Sequence, residues 1–260
     1  MSAHPRFSLV KWYMDCVTTD GDTAILYCAD LRWRGIHTRY SSVLERLGNT
    51  VRTKTSLARF HLDASAESIT VRLPRLRVSG TWQADSAPVQ RAIYASETGT
   101  VDWNCLQPRS TAQLSIGDHQ MSGLGYAECL MLTIPPWQLP MRQLRWGRFV
   151  SAQHALTWID WQGPYSTSVA VLDGRHCRLT AASESEIVLP NVRLCLDQSV
   201  PLRSGSVDST ILPVAPALRR LLPRSLFSIE EHKRRSRGTL HAPNSQSEGW
   251  VIHEVVHWPR

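Results

Sequence analysis

The residues with the most explicit chemistry lie near the end of the chain. His253-Glu254-Val255-Val256-His257 reads as H-E-x-x-H. On a helix the two histidines would share a face and a zinc ion, with Glu254 as general base. On a strand the same residues rise about 3.3 Å each, which separates the two histidine backbones by roughly 13 Å. Two nitrogens that must each sit about 2.0–2.1 Å from one ion cannot reach it from there. The local sequence favours the strand. Val251, Ile252, Val255 and Val256 are β-branched, Gly249 stands before the run, and Pro259 follows it. The sequence ends at Arg260, so a third ligand downstream is not expected. A zinc protease is therefore not expected, and neither a metal nor a cofactor enters the reading. Strand alternation sends Glu254 to one face and both histidines to the other. Either face could be the interior one.

Two further acids could carry proton chemistry. Glu128 lies in Leu124-Gly125-Tyr126-Ala127-Glu128-Cys129-Leu130, among apolar and small residues. Asp160 stands between Trp158 and Trp161. Burial raises a carboxyl pKa, so Glu128, Asp160 or Glu254 could hold a proton and act as a general acid. The alternative for each is an ion pair with one of the many arginines. The ten tryptophans invite a companion reading. Trp103 sits between Asp102 and Asn104, Trp146 follows Arg145, and Trp158 lies near Asp160. They fill a core, or they form aromatic walls around an apolar ligand. On the second reading Trp103, Trp146 and Trp158 line the site, while Asp102, Asn104 and Tyr126 orient water or substrate. Other templates fail. Gly123-Leu124-Gly125 is an isolated G-x-G inside a strand, and neither a P-loop nor a G-x-S-x-G elbow occurs.

The elements that must position these groups are strands. Period-two alternation dominates at Lys11–Val17, Thr23–Trp33, Ser68–Leu73, Leu76–Trp82, Val89–Ser96, Val101–Leu106, Ser110–Ile116 and Gly123–Ile134. Three prolines in Pro135–Pro140 suit a linker. Alternation then resumes at Ala152–Trp161, Tyr165–Leu172, His176–Thr180, Glu186–Leu189, Val192–Leu196 and Trp250–Trp258. Helices are expected only at Ala215–Leu222 and Ser225–Arg235. Many short, evenly spaced strands point to sandwiches or barrels.

Composition narrows the classes. The 260 residues suit one large domain or two ordinary ones, and 42% of them are hydrophobic. No apolar run reaches membrane-spanning length, and Met1–Asp15 lacks a signal-peptide core, so a cytoplasmic protein is expected. The six cysteines show no C-x-x-C spacing and read as buried thiols, although Cys16 and Cys28, like Cys105 and Cys129, flank turns. The net charge of +7 is spread along the chain. Its one dense cluster, His232-Lys233-Arg234-Arg235-Ser236-Arg237, reads as a solvated loop, with contact to anionic membrane headgroups as the sharper alternative. Nucleic acid is not an expected partner.

Weak echoes suggest two related halves: Trp12-Tyr13-Met14-Asp15 with Trp158-Ile159-Asp160, and Leu31-Arg32-Trp33-Arg34-Gly35 with Leu144-Arg145-Trp146-Gly147-Arg148. Several of these segments, with Val101-Asp102-Trp103-Asn104 and Gly123-Leu124-Gly125-Tyr126-Ala127-Glu128, carry a further likeness. Through them the chain resembles the lipocalin-like family that includes hydroxyneurosporene synthase (carotenoid 1,2-hydratase). The resemblance implies a mainly β fold of two packed calycin-like antiparallel barrels, here 1–140 and 141–260, with one or two short helices. It also implies acid-catalysed hydration, cyclisation or isomerisation of an isoprenoid, polyene or similar apolar ligand, without a metal. A non-catalytic carrier of apolar ligands is the alternative.

Overall fold

The computed structural model describes residues 7–206 and 228–258. They form two compact units, Met1–Leu139 and Pro140–Arg260. Each contains one curled antiparallel half-barrel sheet. The first unit runs β1 (Phe7–Val17), β2 (Thr23–Trp33), β3 (Ile36–Leu47), β4 (Thr50–Ser56), β5 (His61–Ala64), β6 (Ser68–Leu73), β7 (Val78–Ala84), β8 (Val89–Ser96), β9 (Gly99–Ile116) and β10 (His119–Leu132). Its order is β4-β3-β2-β1-β10-β9-β7-β6-β5, with β8 paired to β9. The second runs β11 (Gln143–Val150), β12 (Ala155–Gln162), β13 (Thr167–Leu172), β14 (Arg175–Cys177), β15 (Ala181–Ala182), β16 (Glu186–Leu189), β17 (Val192–Ser206), β18 (Glu230–Ala242) and β19 (Ser245–His257). Its order is β14-β13-β12-β11-β19-β18-β17-β16-β15. Without β8, the two orders are the same. In each, the first strand pairs with both the second and the last.

Both sheets carry buried residues on both faces. In β1, Met14 and Cys16 join the main core with Leu26, Val43, Ile69 and Trp82, while Tyr13 and Asp15 alternate with them and are also buried. The second core gathers Phe149, Leu156, Trp158, Leu194 and Val251. A tryptophan fills the centre of each. Trp82 lies over Gly80 and Gly125, where added Cβ atoms would come within 2.8 and 2.7 Å of the indole, and Trp158 covers Gly147 at 2.2 Å. Glycine is needed there because the ring occupies the place of a side chain.

Several expectations need correction. Ser225–Arg235 is not a helix where it is described: residues 230–235 belong to β18. The basic cluster is likewise a strand rather than a solvated loop. Lys233 is 2% exposed, and Arg235 and Ser236 are also buried, because alternation carries them into the sheet's two covered faces. The other helix, Ala215–Leu222, falls outside the described residues. Among the described residues, helical structure is confined to single 3-10 turns at Pro74–Leu76 and Pro136–Gln138. Val101–Leu106 and Ser110–Ile116 form one bulged strand, β9, rather than two. Gly249 does not open its strand. It lies inside β19, where a Cβ would stand 2.4 Å from the Val150 carbonyl oxygen. The cysteines are free thiols. Cys16 pairs with Ala24 and Cys28 with Trp12, so these two do not face each other.

Candidate functional site

In the first unit, β10 brings Glu128 opposite Tyr13 of β1 and Cys105 of β9. Two neutral donors converge on one of its oxygens. Trp103 Nε1 donates to Glu128 Oε2 at 2.5 Å, and the Tyr126 hydroxyl donates to the same atom at 2.6 Å. Tyr13 makes edge contacts with Tyr27 (centroids 5.5 Å apart, 74° between planes) and with Tyr126 (6.0 Å, 68°). The Lys11 ammonium lies 5.3 Å from the Tyr27 ring centre. Burial, reinforced by Cys105 and Glu128, pushes the Tyr126 phenol well above its ordinary range, so its hydroxyl stays protonated and donates. Burial also raises the Cys105 thiol, which donates to the Ala127 carbonyl at 3.8 Å. Sequence reasoning named Glu128, Trp103 and Tyr126 without linking them. Strand pairing joins all three at one carboxyl. Asp102 and Asn104 alternate with Trp103 along β9; Asp102 accepts from Thr100 Oγ1 at 3.0 Å, and Asn104 stands opposite Cys129.

In the second unit, β19 brings Glu254 opposite Trp146 of β11 and Lys233 of β18. Glu254 forms an ion pair with Lys233. The Lys233 ammonium also lies 3.6 Å from Glu231 and 5.2 Å from the Trp146 ring centre. Arg203 grips both Glu231 oxygens, at 2.5 and 2.7 Å. Arg148, nearly fully buried, donates to the Trp250 carbonyl at 2.9 Å. Arg235 and Arg237 lie 4.4 and 4.0 Å from the Trp250 ring centre.

The parity of the H-E-x-x-H run is now defined. His253 shares its face with Val251 of the second core, and Glu254 takes the other face. His253 Nε2 bonds Ser236 Oγ at 3.0 Å. Burial, then the charges of Arg234, Lys233 and Arg145, lowers its pKa to about 4, so the imidazole is neutral. His257 is exposed. Trp158 belongs to the second core, apart from Trp146, and Asp160 lies across from Arg145, accepting from Gln162 Nε2 at 2.7 Å. An open recess of about 530 Å³ lined by Phe60, His61, Leu62, Asp63, Thr70 and Arg72 involves none of these groups.

A repeat went unrecognised in the sequence. Gly123 precedes Glu128 by five residues, and Gly249 precedes Glu254 by five, each pair on the last strand of its sheet. Added Cβ atoms would stand 2.1 Å from the Val17 carbonyl oxygen and 2.4 Å from that of Val150, the final residues of β1 and β11. The echoes found by composition fall on strands that do not correspond, β1 with β12 and β2 with β11. A shared Gly-x-x-x-x-Glu spacing was the available signal.

No protein-family model and no curated protein matches the sequence. Solved structures do match in shape. Kievitone hydratase from Nectria haematococca aligns with a TM-score of 0.58 at 9% identity, over 96% of this chain and 88% of that one. An AttH candidate from Nitrosomonas europaea aligns at 0.60 and 9% identity, over 99% and 95%. CghA in complex with Sch210972 aligns at 0.58 and 10% identity, over 96% and 88%. The chain has their lipocalin-type fold. That is the architecture implied by the sequence resemblance, and at such low identity the likeness concerns fold alone.

Proposed function

We propose that the protein catalyses proton-initiated chemistry on an apolar unsaturated ligand: hydration, cyclisation or isomerisation of an isoprenoid or polyene. Glu128 is the proton donor. The observation that carries this reading is the convergence of Trp103 Nε1 and the Tyr126 hydroxyl on Glu128 Oε2 beside a tyrosine cluster. A carboxylic acid accepts on its carbonyl oxygen and donates from its hydroxyl. With Oε2 as acceptor, Oε1 carries the proton that is transferred. These two donors hold the group in one orientation. Aromatic faces suit the cation produced when an alkene is protonated. The hydratase name of a neighbour with this fold supports the same class of chemistry.

Glu254 is assigned a structural role, because Lys233 matches its charge. A carrier that holds an apolar ligand unaltered is the alternative reading. Incubating the protein with a panel of isoprenoids and polyenes in deuterated water tests the proposal. Deuterium is expected at an alkene-derived carbon of the product, and not with Glu128→Gln. Mass spectrometry of small molecules extracted from the purified protein tests the carrier, which would release an unaltered lipid and incorporate no deuterium.

A further inference from the structure

The β9–β10 ladder breaks beside Glu128. Between Ser110, which pairs with Gly125, and Cys105, which pairs with Glu128, only Gln107 has a register partner on β10, namely Ala127. Side-chain hydrogen bonds to backbone carbonyls lie in and next to this bulge. Cys105 Sγ donates to the Ala127 carbonyl at 3.8 Å, Trp82 Nε1 to the Asp15 carbonyl at 2.7 Å, and Gln107 Nε2 to the Trp82 carbonyl at 3.4 Å. A carbonyl can only accept, so this last contact fixes which end of the Gln107 amide faces Trp82. Gln107 Oε1 is the end left over. It is buried and has no hydrogen-bond donor among the described residues, and the residue is 0% exposed. Ser110 Oγ, also in a 0% exposed residue, and Asn104 Oδ1 are likewise buried without a partner. These three polar residues lie three apart on one strand. Their register partners, Gly125, Ala127 and Cys129, are all small.

We infer that this bulge is a binding site for an internal water molecule, held by donation to Gln107 Oε1. Buried acceptors in native proteins are satisfied, by protein or by ordered water. A polar site bordered by small side chains is where a water fits. Ser110 Oγ and Asn104 Oδ1 lie about 10 Å along the strand on either side, too far to share that water. A consequence for function rests on the reading of Glu128 given above. Gln107 stands across from Ala127, so the site lies one residue along β10 from the acid. Hydration would draw on such a water: Glu128 gives its proton to one alkene carbon, the water oxygen bonds to the other, and the surplus water proton returns to the Glu128 carboxylate.

High-resolution crystal structures of the full chain, free of ligand, test the site, paired with solvent relaxation dispersion in solution. An ordered water within hydrogen-bond distance of Gln107 Oε1 is expected in the wild type. It should persist in Glu128→Gln, where deuterium transfer is lost, so the water site and the acid assignment fail separately. It should vanish in Gln107→Met, with loss of one long-lived water from the dispersion amplitude. Should Gln107→Met not fold, the wild type still decides the matter, and Ser110→Ala serves as the soluble second variant with the Gln107 water retained. A protein donor on Gln107 Oε1, no water there in the wild type, or an unchanged count of long-lived waters in Gln107→Met would overturn the inference.

Discussion

Glu128 and Glu254 occupy the same place in two sheets of one topology. Each lies on the last strand, five residues after a glycine pressed against the final carbonyl of the first strand. Each faces an aromatic ring on that first strand, Tyr13 or Trp146. The difference lies one strand further on, where Glu128 meets the Cys105 thiol and Glu254 meets the Lys233 ammonium. The backbone device is shared, and the cross-strand neighbours differ. One carboxylate is held in an ion pair with a buried lysine. The other carboxyl accepts from an indole and a phenol. The comparison teaches that the backbone supplies a position, while the cross-strand neighbour differs; on the proposed reading that neighbour separates a structural acid from a chemical one.

The largest expected effect breaks the charged half. Lys233→Met removes the partner of Glu254 and should cost about 3 kcal/mol, because a partly buried charge is left unpaired. Urea denaturation would register this, and a loss below 1 kcal/mol would mean that the pair is not structural. The same strand supplies a pH test. Unfolded His253 takes up a proton below its ordinary value of 6.5, whereas folded His253 stays neutral down to about 4. Stability should therefore fall as pH drops from 6.5 to 4, by about 3 kcal/mol, and fall no further on this account at lower pH. His253→Gln should flatten that part of the curve. Altering the shared device should affect both units alike. Gly123→Ala and Gly249→Ala each force a Cβ into a carbonyl, at an expected cost of about 1–3 kcal/mol. A large effect at one glycine with none at the other would undo the equivalence. The smallest change is Tyr126→Phe, expected to cost about 1 kcal/mol of stability through the lost hydrogen bond. It should slow proton transfer more than it unfolds the protein.

Strand existence was legible in the sequence wherever one face alternated cleanly. Thr23–Trp33, Ser68–Leu73, Val89–Ser96 and Glu186–Leu189 match β2, β6, β8 and β16 in full. The signal failed where polar residues enter covered faces. Lys233 and Arg235 read as a solvated loop because Glu254 and the Trp250 ring, which help to admit them, lie on the neighbouring strand β19, and adjacent Glu231 gives no sign of burial by itself. The site was half legible. Glu128, Trp103 and Tyr126 were recognised singly by residue type and burial. Their convergence depends on the β9–β10 register and its bulge, which alternation alone cannot specify. Gln107 carried no signal at all, since its role follows from an amide fixed by the Trp82 carbonyl.

The central claim is that Glu128, and not Glu254, donates the proton. Deuterium incorporation from deuterated water into an accepted isoprenoid or polyene, measured for both glutamine variants against the wild type, tests it most directly. Glu128→Gln should lower the rate by about 10²–10⁴-fold, the usual worth of a general acid, while folded Glu254→Gln retains it. Loss of incorporation in Glu254→Gln with retention in Glu128→Gln would contradict the account.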